Sequence, residues 1–260
     1  MMQAVLYIGH GTRLAKGVTQ CIEFIESVKR LVRVPIQEIA FLEIVEPSIE
    51  IGVRRCVERG ATSIAIMPLL LLTAQHAKVD IPQELQIVQR QYPTIRFSYG
   101  KPLGIEMKLI TEVATKINVA IEKTWNKGTL RPLVQNGEAD ILLVFRGSSD
   151  LGLAMQADEI CRFVSELTTY KNVKASFLYG AGWHFDDALK GYELSGKAVV
   201  VMPYLLFDGL LSVGIEKKIN AARAVNPFIL LSEKLGHGEN VQQVMLKRVE
   251  QCLQMEGVFV

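Results

Sequence analysis

The sequence predicts an α/β fold of two duplicated domains, each a four-stranded parallel sheet flanked by helices, facing one another across a cleft. Three observations carry this expectation. Short β-type apolar runs alternate with helical patterns four times over residues 1–126. Residues 126–138 have no periodicity and three glycines or prolines near one another, as a linker would. The first pattern then restarts. His10 falls opposite Arg146 and Phe41-Leu42 opposite Phe177-Leu178, both at an offset of 136, while Met67-Pro68 matches Met202-Pro203 at 135 and Leu103-Gly104 matches Leu235-Gly236 at 132. Small loop deletions account for the drift. The expected domains are therefore 1–126 and 139–260.

Each element has its own signal. Val5 to Ile8 is a strand-type run that stops at Gly9-His10-Gly11-Thr12. A helix is expected over Leu14 to Val32, because Val18, Cys21, Ile22, Ile25, Val28 and Val32 recur at helical spacing. Pro35 separates it from a second strand, Ile36 to Leu42. Pro47 is placed to open the next helix, whose apolar face is Ile49, Val53, Cys56 and Val57 and which Gly60 closes. A third strand covers Ser63 to Met67, and the loop through Thr73 to Lys78 follows. Asp80 reads as an N-cap with Pro82 in the first turn, and that helix ends before Pro93. A fourth strand, Thr94 to Tyr99, leads to Gly104 and a long helix to about Trp125.

The bulk composition excludes several classes. With 260 residues, 49% hydrophobic and 22% charged, the chain has ample core for an ordinary globular protein. A net charge of +2 without a basic run gives no footprint for nucleic acid. Apolar runs such as Ile64 to Leu72 are too short to span a bilayer, and the first residues lack a signal-peptide pattern, so a cytoplasmic protein with no membrane partner is expected. Cys21, Cys56, Cys161 and Cys252 form no CxxC pair and read as reduced thiols, three of them on apolar helix faces. No GxxxxGK[ST] loop, third fingerprint glycine or GxSxG elbow occurs, which argues against nucleotide-dependent and serine-hydrolase chemistry.

In an open α/β sheet, ligands bind beyond the carboxyl ends of the strands. The first strand ends at His10, the second at Glu43 with Glu46 a turn further on, and the third is followed by the loop carrying His76. Taken singly, each has an ordinary alternative as a turn, loop or surface residue. Together, two imidazoles and a carboxylate suit a divalent first-row metal such as iron, cobalt, nickel or zinc. The second half has Arg146 for His10, Tyr179 or Gly180 for Glu43, and Leu211 for His76, so it keeps the scaffold without the ligands. Arg13, Lys16, Lys78 and Arg146 are the cations expected to meet an anionic ligand.

Gly9-His10-Gly11-Thr12, Phe41-Leu42-Glu43 with Glu46-Pro47-Ser48, and Pro68-Leu69-Leu70-Leu71 through His76 together resemble the sirohydrochlorin chelatases, the class II chelatases of the siroheme and cobalamin pathways. The resemblance covers nearly the whole chain. It implies a chelatase-like fold in which His10 and His76 bind the incoming metal and Glu43 assists, as a further ligand or as the base. It implies insertion of Fe2+, or of Co2+ or Ni2+, into sirohydrochlorin, with no cofactor beyond the substrate metal. The long bilobal form is similar to the ferrochelatase type, and the C-terminus, Gln254 to Val260, has no histidine-rich tail of the kind some cobalt chelatases carry. Pyrrole nitrogens are weak acids, so loss of their protons calls for a base. The many carboxylates of the substrate give the cations a use. A cobaltochelatase and a non-catalytic carrier of tetrapyrrole or metal are the alternatives. A monomer is expected, because the internal repeat supplies a second lobe.

Overall fold

The computed structural model describes residues 2–125, 138–168 and 170–255. The expected linker, apart from Glu138, and the last five residues lie outside the described residues.

The elements follow the expected alternation. The first half runs β1 (Gln3–Gly9), α1 (Ala15–Lys29), β2 (Ile36–Phe41), α2 (Ile49–Glu58), β3 (Ser63–Pro68), a π turn (His76–Asp80), α3 (Ile81–Gln91), β4 (Arg96–Tyr99) and α4 (Met107–Trp125). The second runs β5 (Asp140–Phe145), α5 (Leu151–Leu167), β6 (Val173–Phe177), α6 (Phe185–Ser195), β7 (Val199–Pro203), α7 (Leu210–Ala222), β8 (Ile229–Leu231) and α8 (Glu239–Leu253). Boundaries differ from expectation by a few residues, as fraying ends do. The largest local difference is at α2. Its cap is Ser48, whose hydroxyl accepts from Ile51 N, whereas Pro47 stands outside the helix and its carbonyl accepts from Phe41 N. Glu46 serves the same helix start by accepting from Ser48 N at 2.8 Å.

Two four-stranded sheets form, ordered β2-β1-β3-β4 and β6-β5-β7-β8, and every pairing is parallel. From β1 the chain steps to one side, then crosses to the other side of β1 for β3. The order therefore reverses between β1 and β3, the switch point at which such sheets bind ligands. Every residue of β1 but Gln3 is buried, as expected for a strand covered on both faces. Leu6, Ile8, Ile64, Ile66, Val53, Ile81 and Leu85 meet in one core. Leu142, Val144, Val201, Phe185, Ile215 and Ile219 meet in another. All four cysteines are buried thiols, and burial pushes Cys21, Cys56 and Cys161 up to about 12.

The compact units do not follow the two halves of the chain. One unit is Met1–Gly104 with His237–Val260, and the other is Ile105–Gly236. Relative to the expected division into 1–126 and 139–260, the last helix of each half has changed places. In the second unit α4 packs on α5, β7 and β8, burying Leu109, Ile110, Val113 and Ile117. There Lys116 and Lys123 both reach Glu233, at 3.2 and 3.0 Å. In the first unit α8 covers β3, β4 and α1. Its Arg248 donates to the carbonyls of Pro102 and Leu103, and Ser98 donates to the Cys252 carbonyl. The repeat fixes the order of elements. Which sheet a terminal helix covers depends on the direction in which the chain leaves the last strand, and a pattern of spacings does not carry that.

Candidate metal centre

The site lies in the first unit, where β1, β2 and β3 end side by side. His10 follows Gly9, the last residue of β1, and Gly9 is in register with Phe41 of β2. The two strand exits are tied together, because Leu42 N donates to Gly9 O and Glu43 N donates to His10 O. Gly11 is required here. Its φ is +92°, and a Cβ on it would lie 1.9 Å from the Glu43 carbonyl oxygen. This close crossing of two loops fixes Glu43 relative to His10.

His76 arrives from β3 through a loop that is held at several points. Leu103 N and Gly104 N donate to the carbonyls of Leu70 and Leu71, and the Tyr99 hydroxyl donates to Ala77 O at 3.0 Å. His76 opens a π turn whose bond runs from Ile81 N back to His76 O. Single π turns of this kind cluster at functional sites. Asp80, expected as the N-cap of α3, has helical angles (φ −65°, ψ −53°) and makes no capping bond. Its carboxylate instead meets His76 Nδ1 at 2.6 Å, one turn back along the same segment. Sequence reasoning missed this role, although the four-residue spacing of His76 and Asp80 was there to be read. Glu84, a turn further on, has its carboxyl raised by burial first and by the Asp80 charge second.

The two imidazoles face each other. His10 Nε2 and His76 Nε2 are 3.1 Å apart, with the rings edge to face at 88°. The other nitrogen of each ring meets oxygen. His76 Nδ1 has Asp80, while His10 Nδ1 has the Gly11 carbonyl at 3.2 Å and Glu43 Oε1 at 3.3 Å. Oxygen acceptors on both Nδ1 atoms select the Nδ1–H tautomers, because a neutral imidazole carries one donor and one acceptor. Two unprotonated Nε2 atoms then lie 3.1 Å apart, an arrangement that a shared cation would satisfy. Two nitrogens bound tetrahedrally to one ion at about 2.0–2.1 Å stand about 3.3 Å apart, close to the separation seen here. Ligand atoms of His10, Glu43 and His76 all lie within 4.8 Å of one another. Both histidine side chains are 27% exposed, so the spot is open on one side.

Of the four expected cations, Arg13 and Lys16 lie on the β1–α1 connection and the first turn of α1, and Lys78 lies in the π turn. All three are exposed and follow the same strand ends as the histidines. Arg146 belongs to the second unit, exposed after β5 where His10 follows β1. The internal match there is close. Tyr179 N donates to Arg146 O as Glu43 N donates to His10 O, and a Cβ on Gly147 would strike the Tyr179 carbonyl at 1.9 Å. Tyr179, not Gly180, therefore stands in the place of Glu43.

A family model described as CbiX matches residues 4–120 and again 140–252. The sirohydrochlorin ferrochelatase of Bacillus subtilis (strain 168) is 38% identical over 264 residues, covering 100% of this chain and 95% of that protein. The sirohydrochlorin cobaltochelatase of Priestia megaterium is 28% identical over 259 residues, covering 98% and 81%. Among solved structures, SirB from Bacillus subtilis with Fe3+ superposes with a TM-score of 0.84 at 37% identity, covering 98% of this chain and 96% of that one.

Proposed function

The chain belongs to the CbiX family, and from that premise we propose that it is a sirohydrochlorin ferrochelatase, inserting Fe2+ into sirohydrochlorin to make siroheme. The observation that carries the reading is the pair of Nε2 atoms 3.1 Å apart at the β1/β3 switch point with a carboxylate beside them. The iron is substrate, not resident cofactor. His10 and His76 hold it through Nε2, with Glu43 as a third ligand or as the base. Two imidazoles leave coordination positions open, so the ion can be passed on.

The reaction balances without a redox partner. Bonds from Fe2+ to His10 and His76 break as bonds to four macrocycle nitrogens form. Two pyrrole N–H bonds break, and their electron pairs go to the metal. Glu43 is the first acceptor of those two protons, taken one at a time and shed to solvent. Iron enters and leaves as Fe2+. Arg13, Lys16 and Lys78 are partners for the carboxylates at the ring periphery, and Arg146 is proposed as another on its charge and exposure alone. Among the described residues no helix is long and apolar enough to cross a membrane, and we propose a cytoplasmic monomer.

The test is anaerobic absorbance of purified protein with sirohydrochlorin and Fe2+ or Co2+, against a control without protein. Multiple turnovers with Fe2+ are expected. Faster turnover with Co2+ favours the cobaltochelatase reading, which the more distant Priestia megaterium relative exemplifies. A spectral change that stops at one equivalent per chain identifies a carrier.

A further inference from the structure

We propose that Ile44 is a specificity-determining contact for the tetrapyrrole, an aliphatic side chain set against the face of the macrocycle beside the metal ligands; the inference rests on the substrate proposed above. Ile44 directly follows Glu43 and has φ 71°, making it the one non-glycine residue with positive φ among those described. Val45 N donates to Glu43 O at 2.8 Å, so the chain makes a tight turn centred on Ile44. Left-handed backbone is disfavoured for any L-residue with a Cβ and most of all for a β-branched one.

The internal repeat supplies a comparison. Gly180 stands 136 residues on, at the matching position, with φ 77°. The backbone shape has been kept in both halves, but the half without ligands uses the residue for which that shape is easy. A Cβ there would lie 2.2 Å from the Ser148 carbonyl oxygen, so that loop has no room for a side chain. The ligand-bearing half leaves the room open and fills it with isoleucine. Packing does not account for the choice, because Ile44 is 60% exposed.

The chemistry of insertion says what would cover it. An ion held outside a macrocycle reaches its four nitrogens only through a ring face. Groups bordering the ligands therefore meet that face, while the carboxylates of the substrate project from the rim. The face is apolar π surface, which an aliphatic side chain covers favourably and a charged one does not.

The full-length protein is titrated with metal-free sirohydrochlorin by absorbance, and KM and kcat are measured anaerobically with Fe2+. Co2+ affinity is measured separately by calorimetry. Ile44→Gly, which suits the backbone, is expected to fold with a thermal midpoint no lower than wild type. It should raise Kd and KM for sirohydrochlorin by about ten-fold while leaving Co2+ affinity unchanged. Ile44→Leu should stay near wild type, and Ile44→Asp should bind more weakly than Ile44→Gly. Unchanged Kd and KM in Ile44→Gly overturn the proposal, as does a loss in Ile44→Leu equal to that in Ile44→Gly. Weakened Co2+ binding with unchanged Kd for the tetrapyrrole also overturns it, since Ile44 would then act only through Glu43. A wild-type chain that neither binds nor metallates sirohydrochlorin removes the proposed function and this contact together, whereas active wild type with an indifferent glycine variant removes only the contact.

Discussion

Replacing Asp80 by Asn tests whether the carboxylate behind His76 tunes the proposed metal site. The Nδ1–Oδ2 distance of 2.6 Å is that of a charge-assisted bond. Bonds to charged groups contribute about 1.5–3 kcal/mol and neutral ones about 0.5–1.5 kcal/mol. Both partners are only partly buried, at 27% and 36% exposure, so the lower ends apply and the loss is about 1 kcal/mol. At 1.4 kcal/mol per decade that is about five-fold in metal affinity, just below the roughly 10–100-fold that carboxylates behind ligating histidines typically contribute. The amide adds a second effect. Turned over, it donates to Nδ1, selects the other tautomer and places a proton on Nε2, the atom proposed to hold the metal. Asp80→Asn is therefore expected to bind Co2+ at least as weakly as Asp80→Ala. The assay is anaerobic calorimetric titration with Co2+, alongside turnover and thermal midpoint. A stable Asp80→Asn protein with wild-type Co2+ affinity would refute the reasoning.

Four further outcomes are expected. His10→Ala and His76→Ala should each fold normally and lose most metal insertion; near wild-type rates in both would remove the metal-site assignment. Glu43→Gln should keep Co2+ affinity better than turnover, with kcat down about 100-fold or more; equal losses in titration and kinetics would argue against a base. Gly11→Ala should cost at least about 2 kcal/mol of stability by thermal or urea unfolding and disrupt turnover, because its Cβ would meet the Glu43 carbonyl at 1.9 Å; an unaltered unfolding midpoint would mean that the crossing yields easily. Lys123 first, then Lys116, hold the Glu233 carboxyl below its usual range, so its stabilising effect is present above the ordinary carboxylate pKa and lost as pH falls through the lowered folded value. Glu233→Gln should thus lower stability at pH 7 by at most about 0.5 kcal/mol, since the pair is exposed, and by nothing at pH 2; an equal effect at both would show that charge is not involved.

The sheets were legible because parallel strands buried on both faces are continuous apolar runs, and Val5 to Ile8 and Ile141 to Phe145 are such runs. His10 was legible because it directly follows such a run, whereas Glu43 follows the mixed strand Ile36–Phe41 and His76 comes eight residues after Pro68, so the order of the strands, more than the runs themselves, brings the three to one edge. Asp80 was misread because aspartate before a proline-containing first turn is also the ordinary mark of a helix start. Only the π turn, which keeps its backbone helical, frees its carboxylate for His76. The conformation of Ile44 was hidden because nothing in an Ile-Val pair announces a left-handed residue; it is imposed by the crossing of Gly11 over Glu43 and the short bond from Val45.

The exchanged terminal helices bear on how the chain is made. During synthesis the first sheet emerges complete through Tyr99, but the face that α8 covers stays bare until residues 239–253 follow. At about 5–20 residues per second that delay is on the order of ten seconds, long on the timescale of folding. In that interval β3 and β4 present apolar surface to the cell. The second unit is one continuous stretch, Ile105–Gly236, so all of its residues are synthesised before the first unit's last helix. The unit that carries His10, Glu43 and His76 is thus the one whose covering helix is synthesised last.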